Sequence, residues 1–279
     1  MSTARLTKSG AGALRHVVLA VASIAFVFPL AWIILSSVKT GAELANNPLD
    51  VLPDEFTLAN YRRVLEDLGF LQNLRNSVLI AVVATAVTIV LSTLAAYGIV
   101  RFFPRFGQRL TRVLIATYMF PPILLAVPYA AIMVKLGLIN TYAGLILAYL
   151  SFALPYAIWM LVGFYQTVPL EIEEGAQMDG AGKVRIFWQI ATPIVLPGIV
   201  ATAVYTFINT FNEFLYALLF INSTDRMPVA VALYSLTGSE VLDWGAMMAA
   251  SVLVVVPSVL FFMSIQKYIA GGLAEGSVK

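Results

Sequence analysis

The sequence predicts an all-α integral membrane protein with six transmembrane helices, and three observations carry that reading. Hydrophobic residues fill 60% of the 279 positions, against roughly 45–50% in soluble globular chains. Charged residues make up only 11%, too few to coat a surface facing water. Charge-free intervals then recur at 16–38, 76–100, 113–134, 136–170, 186–212 and 244–266, and each accommodates the ~20 apolar residues that a bilayer-crossing helix needs. The absence of cysteine and the single histidine, His16, exclude disulfide frameworks, thiolate zinc sites, cysteine nucleophiles and a Ser/His/Asp triad away from residue 16. A net charge of +2 gives no ground for nucleic-acid binding.

The first span is placed at 17–38. Arg5, Lys8 and Arg15 precede it as in a secretory signal, but the run Val17–Val38 exceeds a signal's apolar core of about 7–15 residues, and no A-x-A site follows before Lys39. It reads as a retained span. The loop 39–76 carries Pro48, Pro53 and the stretch LANYRRVLEDLGFLQNL, with Leu58, Tyr61, Leu65 and Leu68 at helical spacing. A small surface helix leading into a second span at 77–100 is expected there.

The third span, 113–134, contains Pro121, Pro122 and Pro128, and the fourth, 142–165, contains Pro155. A proline inside a membrane helix leaves a carbonyl to be satisfied by a neighbour or by a water-filled cavity. Kinked central helices suit a pathway, although proline is also simply more frequent in membrane helices. The fifth and sixth spans are placed at 194–220 and 246–266. Within the fifth, Asn209 and Glu213 are four residues apart and so share a helix face, beside Asn212. A carboxylate at that depth costs at least about 2.5 kcal/mol and should face the helix bundle or the pathway.

Loop charges set an orientation. Residues 1–16 hold three bases and no acid, and 101–112 holds Arg101, Arg105, Arg109 and Arg112 with no acid. The positive-inside rule places both in the cytoplasm, and with six spans the C-terminus joins them. The acid-rich loop 39–76 then lies outside and the loop 166–193 inside.

That inner loop, VPLEIEEGAQMDGAGKVRIFWQIATPIVLPGI from Val168 to Ile199, is the most specific sequence in the chain. Pro169 suits a first helical turn, and Glu171, Glu173 and Glu174 put negative charge at the helix's positive end. Asp179, Gly180 and Gly182 interrupt that helix, and KVRIFWQIA, 183–191, forms a second one ending before Pro193. Gly175, Ala176, Gly180 and Ala181 have little or no side chain, so another surface can approach the turn closely. GAGKV is not a phosphate-binding loop, since Gln177 and Val184 stand where a glycine and a Ser/Thr are required. The acidic cluster lacks a histidine partner, and no metal or cofactor is expected. Composition leaves two readings open, an amphipathic helix on the headgroups and a docking element.

The loop resembles a known family. The pattern E-A-A-x3-G-x9-I-x-L-P marks permease subunits of binding-protein-dependent ABC importers, and here it reads Glu174, Gly175, Ala176, Gly180, Ile190, Thr192 and Pro193. Gly175 replaces the first alanine and Thr192 the leucine; Asp179 and Pro197 are also frequent in the family. Over about residues 17–279, NSVLIA, FNEFLYALLF (211–220) and the ending GGLAEGSVK (271–279) resemble the carbohydrate branch, in particular the smaller permease of maltose-type importers. The resemblance implies a type I ABC importer permease fold in a bacterial or archaeal plasma membrane, with an N-terminal span and outer loop (1–70) and a five-span core (71–279). It implies uptake of a sugar or sugar-like solute, with a second permease, an ATPase dimer and an extracytoplasmic solute-binding protein as partners. It casts Glu174, Gly175, Ala176, Asp179, Gly180 and Ala181 as the ATPase-coupling residues, and places a binding-protein contact at 222–243 and a tail between the ATPases at 271–279. Such a permease is not itself an enzyme. Asn209, Asn212 and Glu213 then belong to the pathway or to the partner-permease contact; the alternative is a proton-coupled secondary transporter that uses Glu213.

Overall fold

A computed structural model of the chain describes residues 3–47, 49–238 and 243–276, and the described residues contain helices, turns and loops without a strand. In chain order the helices are α1 (Thr3–Ser37), α2 (Gly41–Asn46), α3 (Ala59–Arg62), α4 (Phe70–Phe102), α5 (Pro104–Tyr118), α6 (Pro122–Lys135) and α7 (Tyr142–Gln166). They are followed by α8 (Leu170–Met178), α9 (Lys183–Ile186), α10 (Thr192–Phe211), α11 (Leu215–Phe220), α12 (Val229–Ser235) and α13 (Trp244–Gly276). Five stretches are long and apolar enough to cross a membrane: Arg15–Ser37, Phe70–Phe102, Tyr142–Gln166, Lys183–Phe211 and Trp244–Met263. The pair α5 and α6, bent by 93°, passes the same test of length and composition only when taken together, as a broken span or a re-entrant loop.

That bend corrects the expectation of one kinked helix over 113–134. Pro122 has no N–H to continue α5, and its ring forces Pro121 into an extended conformation, ψ 121°. Pro128 and Pro155, by contrast, sit within α6 and α7 without ending them. The fifth span is also interrupted: α10 ends at Phe211 and α11 begins at Leu215. The surface helix of the first loop forms as α3 and a π turn, Arg63–Asp67, closed by Gly69 in the left-handed region, φ 63°.

The chain divides into two compact units, Met1–Phe70 with Leu233–Val255, and Leu71–Ala232 with Val256–Lys279. In the first, the loop after α1 is organised by polar groups. Lys39, 1% exposed, pairs with Glu43 at 3.2 Å and donates to the Asp50 carbonyl at 2.6 Å. Glu43 accepts from the Asp54 amide at 3.0 Å, and Asn60 donates to the carbonyls of Ser37 and Lys39. Burial raises the Glu43 carboxyl's pKa, but these donors and the lysine charge outweigh it and hold it below its usual value.

In the second unit α7 packs along α5 and α10. One core forms around Tyr149, Tyr216, Phe220 and Leu145, and another around Tyr97, Leu161, Tyr165 and Phe187. Gly198 lets α10 close onto α7, because a Cβ there would stand 2.3 Å from the Phe164 ring. Asn73 and Asn76 of α4 both donate to the Met227 carbonyl, tying down the segment before α12.

Candidate functional site

The candidate site is the helical hairpin 168–193, which opens with α8. Pro169 enters in an extended conformation, ψ 135°, and Glu171 and Glu173 occupy the first turn. Glu171 and Glu174 are exposed, whereas Glu173 is turned inward and only 2% exposed. One Glu173 oxygen receives Nε and Nη2 of Arg101, each at 2.8 Å, and the other receives the Tyr97 hydroxyl at 2.9 Å. Arg101 also donates to the Val168 carbonyl at 2.8 Å. Since Tyr97 and Arg101 lie on the last turns of α4, the hairpin's entry is fixed to a span by four charge-assisted or buried contacts.

Aromatic packing ties in the second limb. The Tyr97 ring meets Tyr165 at 5.5 Å and Phe187 at 4.9 Å, and the Tyr165 hydroxyl is 3.1 Å from Oγ1 of Thr192. Sequence reasoning grouped Glu173 with its neighbours as helix-end charges. Nothing in α8 itself separates Glu173 from Glu174; the distinguishing partner, Arg101, is 72 residues away.

The turn has a Schellman closure. Ala181 N–H donates to the Ala176 carbonyl at 2.9 Å and Gly180 N–H to that of Gln177 at 3.0 Å. Gly180 adopts φ +84°, which the absence of a Cβ permits. Glu174, Gly175, Asp179 and Gly180 are exposed and Ala176 and Ala181 half-buried, so the expected coupling residues lie together around this turn. Met178 and Val184 flank it at 88% and 73% exposure. In the isolated chain a Cβ on Gly175 or Gly180 would meet nothing within 4 Å.

The second limb differs from expectation. It does not stop before Pro193: α9 runs through a π turn, Phe187–Ala191, directly into α10, giving one helix over Lys183–Phe211. The wider turn accommodates the ring of Pro193 and its missing N–H without a break.

The mid-span polar residues are also arranged differently. Because α10 ends at Phe211, Asn209 and Glu213 do not form the expected pair on one helix face. Asn209 and Asn212 are exposed, and each amide donates back along the helix, to the carbonyls of Tyr205 and Ile208. Glu213 accepts the amides of Tyr216 at 3.0 Å and Ala217 at 3.2 Å. Its carboxylate therefore caps the first turn of α11. The segment 222–243 and the tail 271–279 are described except for residues 239–242 and 277–279, which lie outside the described residues.

Comparison with known proteins agrees with this architecture. Residues 88–274 match the family described as binding-protein-dependent transport system inner membrane component. The chain is 34% identical over 271 residues to the diacetylchitobiose uptake system permease protein NgcG of Streptomyces coelicolor, covering 96% of this chain and 89% of that one. It is 36% identical to the trehalose/maltose transport system permease protein MalG of Thermococcus litoralis, covering 91% of each. Its fold matches a chain of a bacterial ABC transporter that imports the acidic polysaccharide alginate, with a TM-score of 0.77 at 19% identity over 94% of this chain and 97% of that one. On the family match and these relatives, the chain belongs to the inner-membrane components of binding-protein-dependent transport systems, as a multi-pass permease.

Proposed function

We propose that this chain is one of two permease subunits of an ABC importer for a sugar or sugar-like solute, and that it couples uptake to a separate ATPase dimer through the hairpin 168–193. The observation that carries the reading is the anchored hairpin. A permease that alternates between two packings of similar free energy can be driven by a partner only through a contact that transmits displacement instead of absorbing it. The Tyr97–Arg101–Glu173 network supplies that stiffness, and the exposed apolar side chains of Met178 and Val184 beside Gly180 give the tip a surface to bury in an ATPase groove. The named activities of the relatives, uptake of diacetylchitobiose and of trehalose or maltose, support a glycoside as the solute. The heterodimer, the extracytoplasmic binding protein and the cytoplasmic termini belong to the same proposal.

Gly180→Arg and Glu174→Lys test it. Both variants should reach the membrane but lose the co-purifying ATPase, or keep it without stimulation of hydrolysis by loaded binding protein. In the same cells, a cysteine at position 108 should be shielded from an impermeant thiol reagent added outside, and one at Asn47 or Ser223 should react. Wild-type coupling in both hairpin variants refutes the docking role; labelling at position 108 refutes the orientation.

A further inference from the structure

Charge on one helix of the second unit has a single sign. Between Asp67 and Glu171 the chain has no acid, whereas α5 carries Arg105, Arg109 and Arg112. Spacings of four and three residues put the three on one helix face, and all three are exposed. Another face of α5 packs along α7, with Thr111 buried. Phe102, Phe103 and Phe106, at the start of α5 and just before it, are exposed. Aromatic rings beside basic side chains suit the boundary between membrane and water.

Beside the arginine face lies a half-open cavity of about 850 Å³, walled by the last turns of α4 and α7 and by α5. Its walls are graded. Arg101, Arg112, Gln166 and Thr167 stand where α4 and α7 end, and Ile115 and Trp159 lie further into the helices, Trp159 about two turns before Gln166. Glu173 offsets the charge of Arg101, whereas α5 adds three bases and no acid. A small soluble anion would match the arginines but leave the apolar depth uncovered, and a neutral lipid would match the depth but not the arginines. An anionic phospholipid satisfies both. Its phosphate accepts paired hydrogen bonds from a guanidinium, its acyl chain covers the apolar wall, and basic pockets between membrane helices select such headgroups.

We propose that the cleft between α5 and the ends of α4 and α7 is a binding site for an anionic phospholipid, with the phosphate at Arg112 and Arg109 and an acyl chain along Ile115 and Trp159. The site adjoins Arg101, which holds Glu173 at the hairpin entry, so a bound lipid braces the corner from which the hairpin leaves the spans. It does not depend on the solute.

Trp159 is the reporter. The purified transporter is placed in phosphatidylcholine nanodiscs containing a varied fraction of lipid brominated on one acyl chain, either phosphatidylglycerol or phosphatidylcholine, and the emission that Trp159→Phe removes is followed. That emission should be half-quenched at a fraction of phosphatidylglycerol at least tenfold lower than of phosphatidylcholine, since each base near a membrane surface is worth about fivefold. Arg109→Gln and Arg112→Gln should each shrink the preference severalfold, and Arg112→Lys should keep it. Gly163 lines the cavity, and a Cβ there would meet nothing within 4 Å. Gly163→Leu therefore fills the cavity without changing a charge and should bring the two lipids to parity.

Parity in the wild-type protein overturns the proposal. So does a preference that persists in Gly163→Leu, because the arginines then attract lipid only diffusely. Loss of the preference in inorganic phosphate but not in chloride of equal ionic strength also overturns it, in favour of a soluble anion. Failure of both lipids to quench Trp159 overturns it in favour of a covering subunit. If Arg112→Gln does not assemble, Arg109→Gln and Gly163→Leu decide.

Discussion

Removing the Glu173 carboxylate should loosen the hairpin without unfolding the spans. In Glu173→Ala the Arg101 guanidinium loses two contacts of 2.8 Å and the Tyr97 hydroxyl loses its acceptor. The two charged side chains are only 13% and 3% exposed, so water replaces little of what is lost. Breaking a buried pair from one side costs about 3–5 kcal/mol, whereas replacing both members by apolar groups of similar volume is often neutral. If that cost falls on the docked state of α8, its opening becomes roughly 10²–10⁴-fold more frequent. Hydrogen exchange on the permease in nanodiscs should show protection lost by about that factor for amides of α8 and little change in α7. Glu173→Gln keeps an acceptor for Tyr97 and should lose less, and Arg101→Met combined with Glu173→Leu should recover most of the protection. Wild-type protection of α8 in Glu173→Ala would refute the reasoning, as would a double variant as impaired as the single one.

Two glycines should respond in opposite senses. Gly198→Ala places a methyl 2.3–2.6 Å from three atoms of the Phe164 ring and should cost about 1–3 kcal/mol, lowering the thermal midpoint of the solubilised complex. Gly175→Ala meets nothing within 4 Å inside α8; it should stabilise that helix by about 0.5–1 kcal/mol and slow its amide exchange severalfold. In the first unit, the folded-state pKa of Glu43 is depressed, so its carboxylate stabilises the loop at neutral pH and that contribution disappears as pH falls through the folded value. Protection of the Asp54 amide, corrected for intrinsic exchange, should therefore persist down through pH 4.5 and vanish below it; loss already between pH 6 and 5 would contradict the arrangement.

The spans were legible because the bilayer's demand is local: a run of apolar residues without charge needs no knowledge of its neighbours. Proline marked the break at Pro121–Pro122 for the same reason, but its 93° angle depends on packing that the sequence does not display. The break after Phe211 had no proline or glycine to announce it. There Glu213 caps the amides of Tyr216 and Ala217, a competing local hydrogen bond that overrides the apolar pattern continuing through residue 220. Gly180 was readable as a turn because its left-handed conformation is a single-residue property. The contact of Glu173 with Arg101 was not, since it joins the ends of two helices far apart in sequence.

The unbroken helix from Lys183 to Phe211 has the length of a lever. Its 29 residues at 1.5 Å each make a rod about 44 Å long. One end carries the hairpin turn and the other ends beside the Glu213-capped break. If the rod pivots near one end, a tilt of about 5° at the turn carries the far end through about 4 Å, a shift large enough to change which side chains meet across a solute path. The interruption at Asn212–Phe214 lies between that rod and α11, which packs on α6 and α7.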